Sequence, residues 1–161
     1  MTGRVVPDWR LTTAETVAEA RRILERERRA LTEAGVPGEL SLTGGSSIEG
    51  LLTKGDIDLH LRVQEDEFDA TKGALTRVYR AVLADIWTPS FATFERAAVP
   101  PIGVALTVVD TEHDRRFVRS WERMRTDASA RAAYNALKRA GGDVEDAKSR
   151  FFDGLAASPG E

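Results

Sequence analysis

The stretch that decides the fold is Gly44-Gly45-Ser46-Ser47, followed after a short spacer by Gly55-Asp56-Ile57-Asp58-Leu59-His60-Leu61. Successive side chains of a β-strand point to opposite faces, so the two aspartates share one face and the alternating aliphatic residues share the other. This alternation predicts a strand whose apolar face packs on a core and whose polar face lines a cleft.

Two carboxylates on one strand face repel each other unless a cation, a basic group or solvent relieves the repulsion. Mg²⁺ prefers hard oxygen ligands and is commonly held by one or two carboxylates together with substrate phosphates. A second ion roughly 3.5–4 Å away would complete a two-metal clamp on the attacking and leaving oxygens. We therefore predict Asp56 and Asp58 to be catalytic metal ligands for Mg²⁺, with Mn²⁺ as an alternative.

The glycine- and serine-rich turn supplies the complementary half of such a site. Glycine lets the backbone approach a ligand closely, and adjacent N–H groups form a concavity that binds anions. We predict that Gly44, Gly45, Ser46 and Ser47 bind the phosphates of a nucleotide. A short helix opening in this turn and running through Leu52 would add further donors.

Each half alone has weak specificity, because such turns are common flexible loops and Asp-x-Asp also occurs at strand edges, in turns and in glycosyltransferase-like metal sites. Together, Gly45-Ser46, nine intervening residues and Asp56-Ile57-Asp58 resemble the signature of the polymerase-beta-type nucleotidyltransferase superfamily. In that superfamily the turn holds nucleotide phosphates and the aspartates bind Mg²⁺. A metal-dependent glycosyltransferase fits poorly, because the chain is short for a donor and an acceptor domain.

The chain has 161 residues, enough for one domain with a real core. We predict a single domain over 1–161, with a core at about 39–110 and a helical carboxyl-terminal part at about 114–156. The absence of cysteine excludes disulfides and thiolate metal sites. No apolar run approaches the roughly 20 residues of a membrane span and no signal-peptide pattern opens the chain, so we expect a soluble, cytoplasmic protein.

The formal net charge of −3 argues against extensive binding to a nucleic-acid backbone, which normally leaves a basic footprint. Small acceptors are therefore favoured over polynucleotides. The locally basic run 21–29 mixes both signs of charge within a helical pattern, and we interpret it as a solvated helix face.

The remaining patterns predict an α+β fold, a nucleotidyltransferase-like mixed sheet flanked by helices with a helical carboxyl-terminal third. Thr12 and Glu15 form a candidate capping box for a first helix that ends near Gly35. The other predicted elements are a strand at 39–43, an amphipathic helix at 66–86, a hairpin of strands at 90–98 and 104–109, and helices at 115–124, 129–140 and 143–155, the last capped by Asp143, with a frayed end at 158–161.

In this order the elements resemble the GrpB-like branch of the superfamily over roughly 42–155. The pieces that carry the resemblance are Gly45-Ser46, Lys54, Asp56-Ile57-Asp58, the segment 117–125 with Arg119 and Trp121, Tyr134-Asn135-Ala136-Leu137-Lys138, and Lys148 with Phe151-Phe152. Relatives carry a proline where this chain has Glu49, and histidines in the strand that here reads 104–109. His60 shares the aspartate face, but we interpret it as a surface or hydrogen-bonded structural residue, and His113 as a surface residue in a charged loop.

Active members of the superfamily generally add a third carboxylate that tightens metal binding or acts as general base. We select Glu95 for this role, ahead of Asp110. Lys54, Arg62 and Lys138 are candidates to offset triphosphate charge, and we count Lys54 and Lys138 among the nucleotide-binding residues.

The sequence thus predicts a GrpB-like nucleotidyltransferase that transfers a nucleoside monophosphate from NTP to an unidentified small acceptor. A catalytically inactive nucleotide-binding or protein-interaction module of the same fold is the alternative, so the sequence leaves open whether the chain is an enzyme.

Overall fold

The computed structural model describes residues 8–141 and 150–155. The predicted cap Asp143, Lys148 and the segment 158–161 lie outside the described residues. In chain order the elements are β1 (Arg10–Leu11), α1 (Ala14–Glu33), β2 (Glu39–Thr43), β3 (Leu52–Thr53), β4 (Ile57–Val63), α2 (Phe68–Leu75), β5 (Arg80–Ala81), β6 (Phe91–Arg96), β7 (Ile102–Val108), α3 (Glu112–Thr126) and α4 (Ala128–Ala140), with 3₁₀ turns at Glu65–Glu67 and Ala84–Ile86. Residues 150–155 are also helical.

A five-stranded mixed sheet organises the fold, in the order β2-β4-β7-β6-β5. β4 and β7 are parallel, and the other neighbouring strands are antiparallel. The predicted hairpin is present as β6 and β7, and the α+β class with a helical carboxyl-terminal portion is confirmed.

The aliphatic positions of β4 form the centre of the core, as the alternation predicts. Ile57, Leu59, Leu61 and Val63 are at most 3% exposed and belong to one cluster with apolar residues of α1, α2, β6 and β7. Full burial of one such side chain contributes about 1.5–3 kcal/mol. A second cluster joins α3, α4 and the segment 150–155 around Leu51.

The first helix begins one residue later than predicted. Thr13 is the N-cap of α1, and its hydroxyl accepts the N–H of Thr16 at 3.1 Å. Thr12 is buried instead, and its hydroxyl donates to the Gly45 carbonyl at 2.5 Å. The capping residue differs because the Thr12 side chain is used in this contact between distant parts of the chain. The helix ends at Glu33 with Ala34 as its C-cap, close to the predicted end near Gly35.

The predicted helix at 66–86 is wrong beyond its first half. After α2 ends at Leu75, the chain turns into β5, whose Arg80 and Ala81 pair with Glu95 and Phe94 of β6. This pairing satisfies backbone groups along β6 that a continued helix would leave without partners. The helical spacing of apolar residues was therefore overridden by sheet pairing.

The outer face of α1 carries much of the basic run. Arg22 and Arg28 form ion pairs with Glu19 and Glu25 of the same helix, and all four lie on or near its exposed side. Among the helices within residues 8–141 and 150–155, none is long and apolar enough to cross a membrane.

Candidate functional site

A cleft of about 690 Å³ lies over the sheet face opposite to the main core. Strand register places Asp58 of β4, Gly103 of β7 and Glu95 of β6 in one row across this face. α3, α4 and the segment 150–155 contribute to the opposite wall. The lining includes Gly44, Asp56, Asp58, Phe91, Thr93, Glu95, Gly103, Ala105, His113, Arg116, Phe117, Ser120, Trp121, Tyr134 and Phe152.

The Asp58 carboxylate lies directly against the glycine turn. A Cβ atom built on Gly44 would lie 2.9 Å from both Cβ and Cγ of Asp58, and closer still to Oδ2. A Cβ on Gly103 would lie 3.4 Å from the other carboxylate oxygen. Gly44 also has a φ of 81°, which glycine adopts at little cost. Because glycine has no side chain, Gly44 and Gly103 leave room for the Asp58 carboxylate between the turn and the sheet.

The two serine hydroxyl groups of the turn form hydrogen bonds within the protein. The Ser46 side chain is fully buried, accepts from the Thr53 hydroxyl at 2.8 Å and donates to the Asp56 carbonyl at 2.9 Å. The Ser47 hydroxyl donates to the Gly44 carbonyl at 2.5 Å. These bonds fix the turn relative to the backbone of Asp56.

Backbone N–H groups are what the turn can offer to a ligand. In the described part of the chain, the N–H groups of Gly45 and Ser46 meet no hydrogen-bond acceptor. Residues 44–51, all of them described, form turns and no helix, so the helix considered for this segment is absent. The donors for an anion are therefore those of the turn alone.

The two predicted lysines lie in different environments. Lys54 is exposed and does not line the cleft. Lys138 is only 5% exposed, and its Nζ donates to the Leu52 carbonyl at 2.5 Å. The structure thus places Lys138 next to the turn and Lys54 in solvent.

Glu95 lines the same cleft as the aspartates, partly exposed and ion-paired with Arg80 of β5. Asp110 lies at the far end of β7 from Asp58 and outside the cleft lining. Among residues 8–141 and 150–155, no group of three or more His, Cys, Asp or Glu side chains is close enough to hold a metal ion. The role of Glu95 as third carboxylate stays a prediction.

Beyond Asp58, the polar face of β4 is covered by α3 through Asp114, a residue that the sequence did not indicate. Both Asp114 carboxylate oxygens accept from Arg62 at 2.8 Å, and Oδ1 also accepts from the Thr107 hydroxyl at 2.8 Å. His60 Nε2 lies 2.8 Å from the Thr107 hydroxyl, and its ring stacks on Phe117. Arg62 is therefore engaged by Asp114, and His60 is a buried, hydrogen-bonded structural residue.

Burial shifts the titration of this network. Desolvation lowers the pKa of His60 to about 4, although the nearby Asp114 carboxylate acts in the opposite direction. Burial of Asp114 would raise the pKa of its carboxyl, but hydrogen bonds from Arg62, the Asp110 N–H and Thr107 outweigh it and hold that pKa below its usual value.

His60 gives the fold a predicted pH dependence. Its pKa is lower in the folded protein than in the unfolded chain, so between pH 6.5 and 4 the unfolded chain binds more protons and stability falls on acidification. We expect His60 to lower the free energy of unfolding by about 2 kcal/mol between pH 7 and pH 5. Asp114 does not titrate in that window because its pKa is lowered.

Urea denaturation at both pH values measures this effect. The variant His60→Gln keeps a side-chain donor toward Thr107 and removes the titration, so its stability should change less with pH. Equal pH dependence in the variant and the original chain would contradict the assignment.

His113 is not a surface residue in a loop. It lies in the first turn of α3, lines the cleft and stacks on Phe91 with ring centroids 4.2 Å apart. Burial, followed by the charge of Arg116, lowers its pKa. Thr111 before Glu112 and Asp114 was the signal for this earlier helix start, because acidic residues favour a first helical turn.

Comparison with solved structures gives two likenesses at low sequence identity. The crystal structure of the conserved protein GrpB from Enterococcus faecalis matches with a TM-score of 0.69 and 15% identity, covering 92% of this chain and 96% of that one. A chain from the structure of the GLD-2/RNP-8 complex matches with a TM-score of 0.54 and 16% identity, covering 91% of this chain and 58% of that one. No protein-family model and no curated protein sequence matches the chain. The likenesses show that the chain has a GrpB-like fold, which it also shares with the chain of the GLD-2/RNP-8 complex.

Proposed function

We propose that the chain is a Mg²⁺-dependent nucleotidyltransferase that transfers a nucleoside monophosphate from NTP to a small acceptor. The observation that carries the proposal is the contact between the Asp58 carboxylate and Gly44 of the turn, in the cleft that Asp56 also lines. A metal-binding acid and a set of anion-binding N–H groups are thereby available to one substrate. The nucleotidyltransferase-type fold agrees with this function.

The donor set fits Mg²⁺. Asp56 and Asp58 offer hard carboxylate oxygens, and the described residues offer no third group clustered with them. Mg²⁺ is commonly held by one or two carboxylates, with phosphate and water oxygens completing the octahedron. The bound ion would neutralise phosphate charge during transfer, and Mn²⁺ accepts similar ligands.

The residues of the chain would then position the reactants. The N–H groups of Gly45 and Ser46 donate to the phosphate chain, which orients the α-phosphorus toward the acceptor. An acceptor hydroxyl or phosphate oxygen forms a new P–O bond at that phosphorus while the bond to pyrophosphate breaks. Where the acceptor is a hydroxyl, its proton passes to Glu95, which is separated from Asp58 by Gly103 in the row across the sheet. Aromatic residues of α3 and α4 close the cleft and select the acceptor.

The alternative is a nucleotide-binding or protein-interaction module without catalysis. The ion pair between Glu95 and Arg80 favours this alternative, because it engages the carboxylate that would act as general base. The pair is largely exposed, so breaking it costs at most about 1 kcal/mol.

Titration calorimetry with each NTP, with and without Mg²⁺, tests the proposal. We expect metal-dependent binding that Asp56→Asn and Asp58→Asn each weaken by about tenfold, because each removes one anionic ligand. Asp110→Asn is the matched control, an exposed acid outside the cleft, and should bind like the original chain. Nucleotide affinity that is unchanged by both cleft variants would reject the metal role.

Pyrophosphate release with a panel of small acceptors separates enzyme from binder. Turnover that Glu95→Gln slows while NTP affinity is retained supports catalysis with Glu95 as base. Metal-dependent NTP binding without turnover on any acceptor supports the module.

A further inference from the structure

Helix α4 reaches over the loop 48–56, which joins the phosphate-binding turn 44–47 to β4 and contains the two-residue strand β3. The Lys138 ammonium group is buried there, 5% exposed, and donates to the Leu52 carbonyl at 2.5 Å. It also lies 4.1 Å from the ring centroid of Tyr134 and 4.9 Å from that of Trp9. Within the described residues, two aromatic faces and one carbonyl thus hold this cation in place.

Asn135, one turn earlier on α4, holds the same loop with two hydrogen bonds. Its Oδ1 accepts the Leu52 N–H at 2.8 Å, and its Nδ2 donates to the Gly50 carbonyl at 2.9 Å. Both backbone polar groups of Leu52 are therefore bound by side chains of α4, the N–H by Asn135 and the carbonyl by Lys138.

Gly45 of the turn packs directly against the same Leu52 carbonyl. A Cβ built on Gly45 would overlap the Leu52 carbonyl oxygen and would lie 2.9 Å from Lys138 Nζ. The turn is also held by the Thr12 hydroxyl, which donates to the Gly45 carbonyl at 2.5 Å. Because Gly45 is packed without free space, displacement of the Leu52 backbone would displace Gly45 and its N–H group.

We infer that Lys138 and Asn135 are positioning residues, which set the phosphate-binding turn by holding the backbone of Leu52. This inference rests on the proposed nucleotide site. Lys138 acts on the substrate through the protein backbone, whereas direct contact between its ammonium group and a phosphate is the competing role.

The two roles differ in measurable ways. Lys138→Met removes the charge and the donor but keeps an unbranched stem, and Asn135→Ala removes two uncharged hydrogen bonds to the same loop. Arg131→Met is the matched control, because Arg131 is a cation of α4 that donates to the carbonyls of Met124 and Arg125, away from the turn. Each variant is compared by the Kd for Mg–NTP at low and high salt, and by the amide NMR signals of Gly45 and Ser46 without nucleotide.

A positioning role predicts that Lys138→Met and Asn135→Ala both raise Kd, each by about tenfold and by a similar factor at both salt concentrations. It also predicts that both variants shift the amide signals of Gly45 and Ser46 in the free protein. Arg131→Met should leave Kd and these signals unchanged.

Three results would overturn the inference. A rise in Kd for Lys138→Met alone, diminishing at high salt, would show direct phosphate contact. Lower melting temperatures with unchanged Kd and unchanged turn signals would show a purely stabilising role. If the original chain binds no NTP, the proposed function fails, and the amide signals decide the positioning role: unshifted signals in both variants refute it.

Discussion

Replacing Asp114 by alanine is expected to lower the free energy of unfolding by about 3–4 kcal/mol. The carboxylate is 1% exposed, accepts both 2.8 Å bonds from Arg62 and ties Thr107 of β7 to the start of α3. Its removal leaves the Thr107 hydroxyl and a partly buried guanidinium without their acceptor. The cost is large because such groups lose water on folding and gain nothing in exchange.

Urea unfolding followed by circular dichroism measures this loss. Asp153→Ala is the matched control, since Asp153 pairs with Arg116 but is 64% exposed, and should change stability by no more than about 1 kcal/mol. Asp114→Asn keeps the shape and loses the charge, so it should fall between the two. A loss below about 1 kcal/mol for Asp114→Ala would contradict the structural role of the network.

Replacing Gly44 by alanine is expected to lower the free energy of unfolding by about 2–4 kcal/mol and to weaken metal-dependent NTP binding by about tenfold or more. The new methyl group would meet the Asp58 carboxylate at a backbone φ of 81°, so strain and overlap add. Relief of the overlap requires Asp58 to leave its position between turn and sheet.

Gly50→Ala separates these two causes. Gly50 has a φ of 88° and no atom within 4 Å of its Cβ position, so alanine there introduces similar backbone strain without overlap. We expect a loss of about 1 kcal/mol and unchanged NTP affinity for this control. Unfolding curves and calorimetry on both variants give the comparison. Equal effects of the two substitutions would show that the Gly44–Asp58 contact is unimportant.

The elements that the sequence predicted well are those whose pattern is local. Strict alternation over β4 identified both its core face and its acidic face, and turn residues between two apolar runs identified the β6–β7 hairpin. Periodicity located α1, α3 and α4 to within a few residues of their observed ends. Such patterns are set by side-chain direction within one element and need no knowledge of its neighbours.

Predictions failed where a distant partner decided the structure. The apolar residues of the predicted helix at 66–86 keep their helical spacing past Leu75, yet the strand β5 forms there because β6 lies beside it. Arg62 was considered for triphosphate charge, but the Asp114 carboxylate of α3 engages its guanidinium group. Nothing in the local sequence of β4 reveals a carboxylate that arrives from α3.

The candidate site was predictable in its residue types and less so in its atoms. Order and spacing along the chain indicated that the Gly45-Ser46 turn and the strand with Asp56 and Asp58 belong together, and the structure places Gly44 of this turn against Asp58. The inward use of the Ser46 hydroxyl and the burial of Lys138 depend on Thr53 and Leu52 as partners, which only the folded chain brings close.

The parallel pairing of β4 with β7 has a consequence for folding kinetics. β2–β4 and β6–β7 are each made of strands close in sequence, whereas β4 and β7 meet only after the whole intervening chain has closed into a loop. Pairings between distant segments pay their loop-closure entropy before they gain contacts, so they form late. Asp58 and Glu95 lie on opposite sides of that junction, so the cleft cannot form before β4 and β7 have paired.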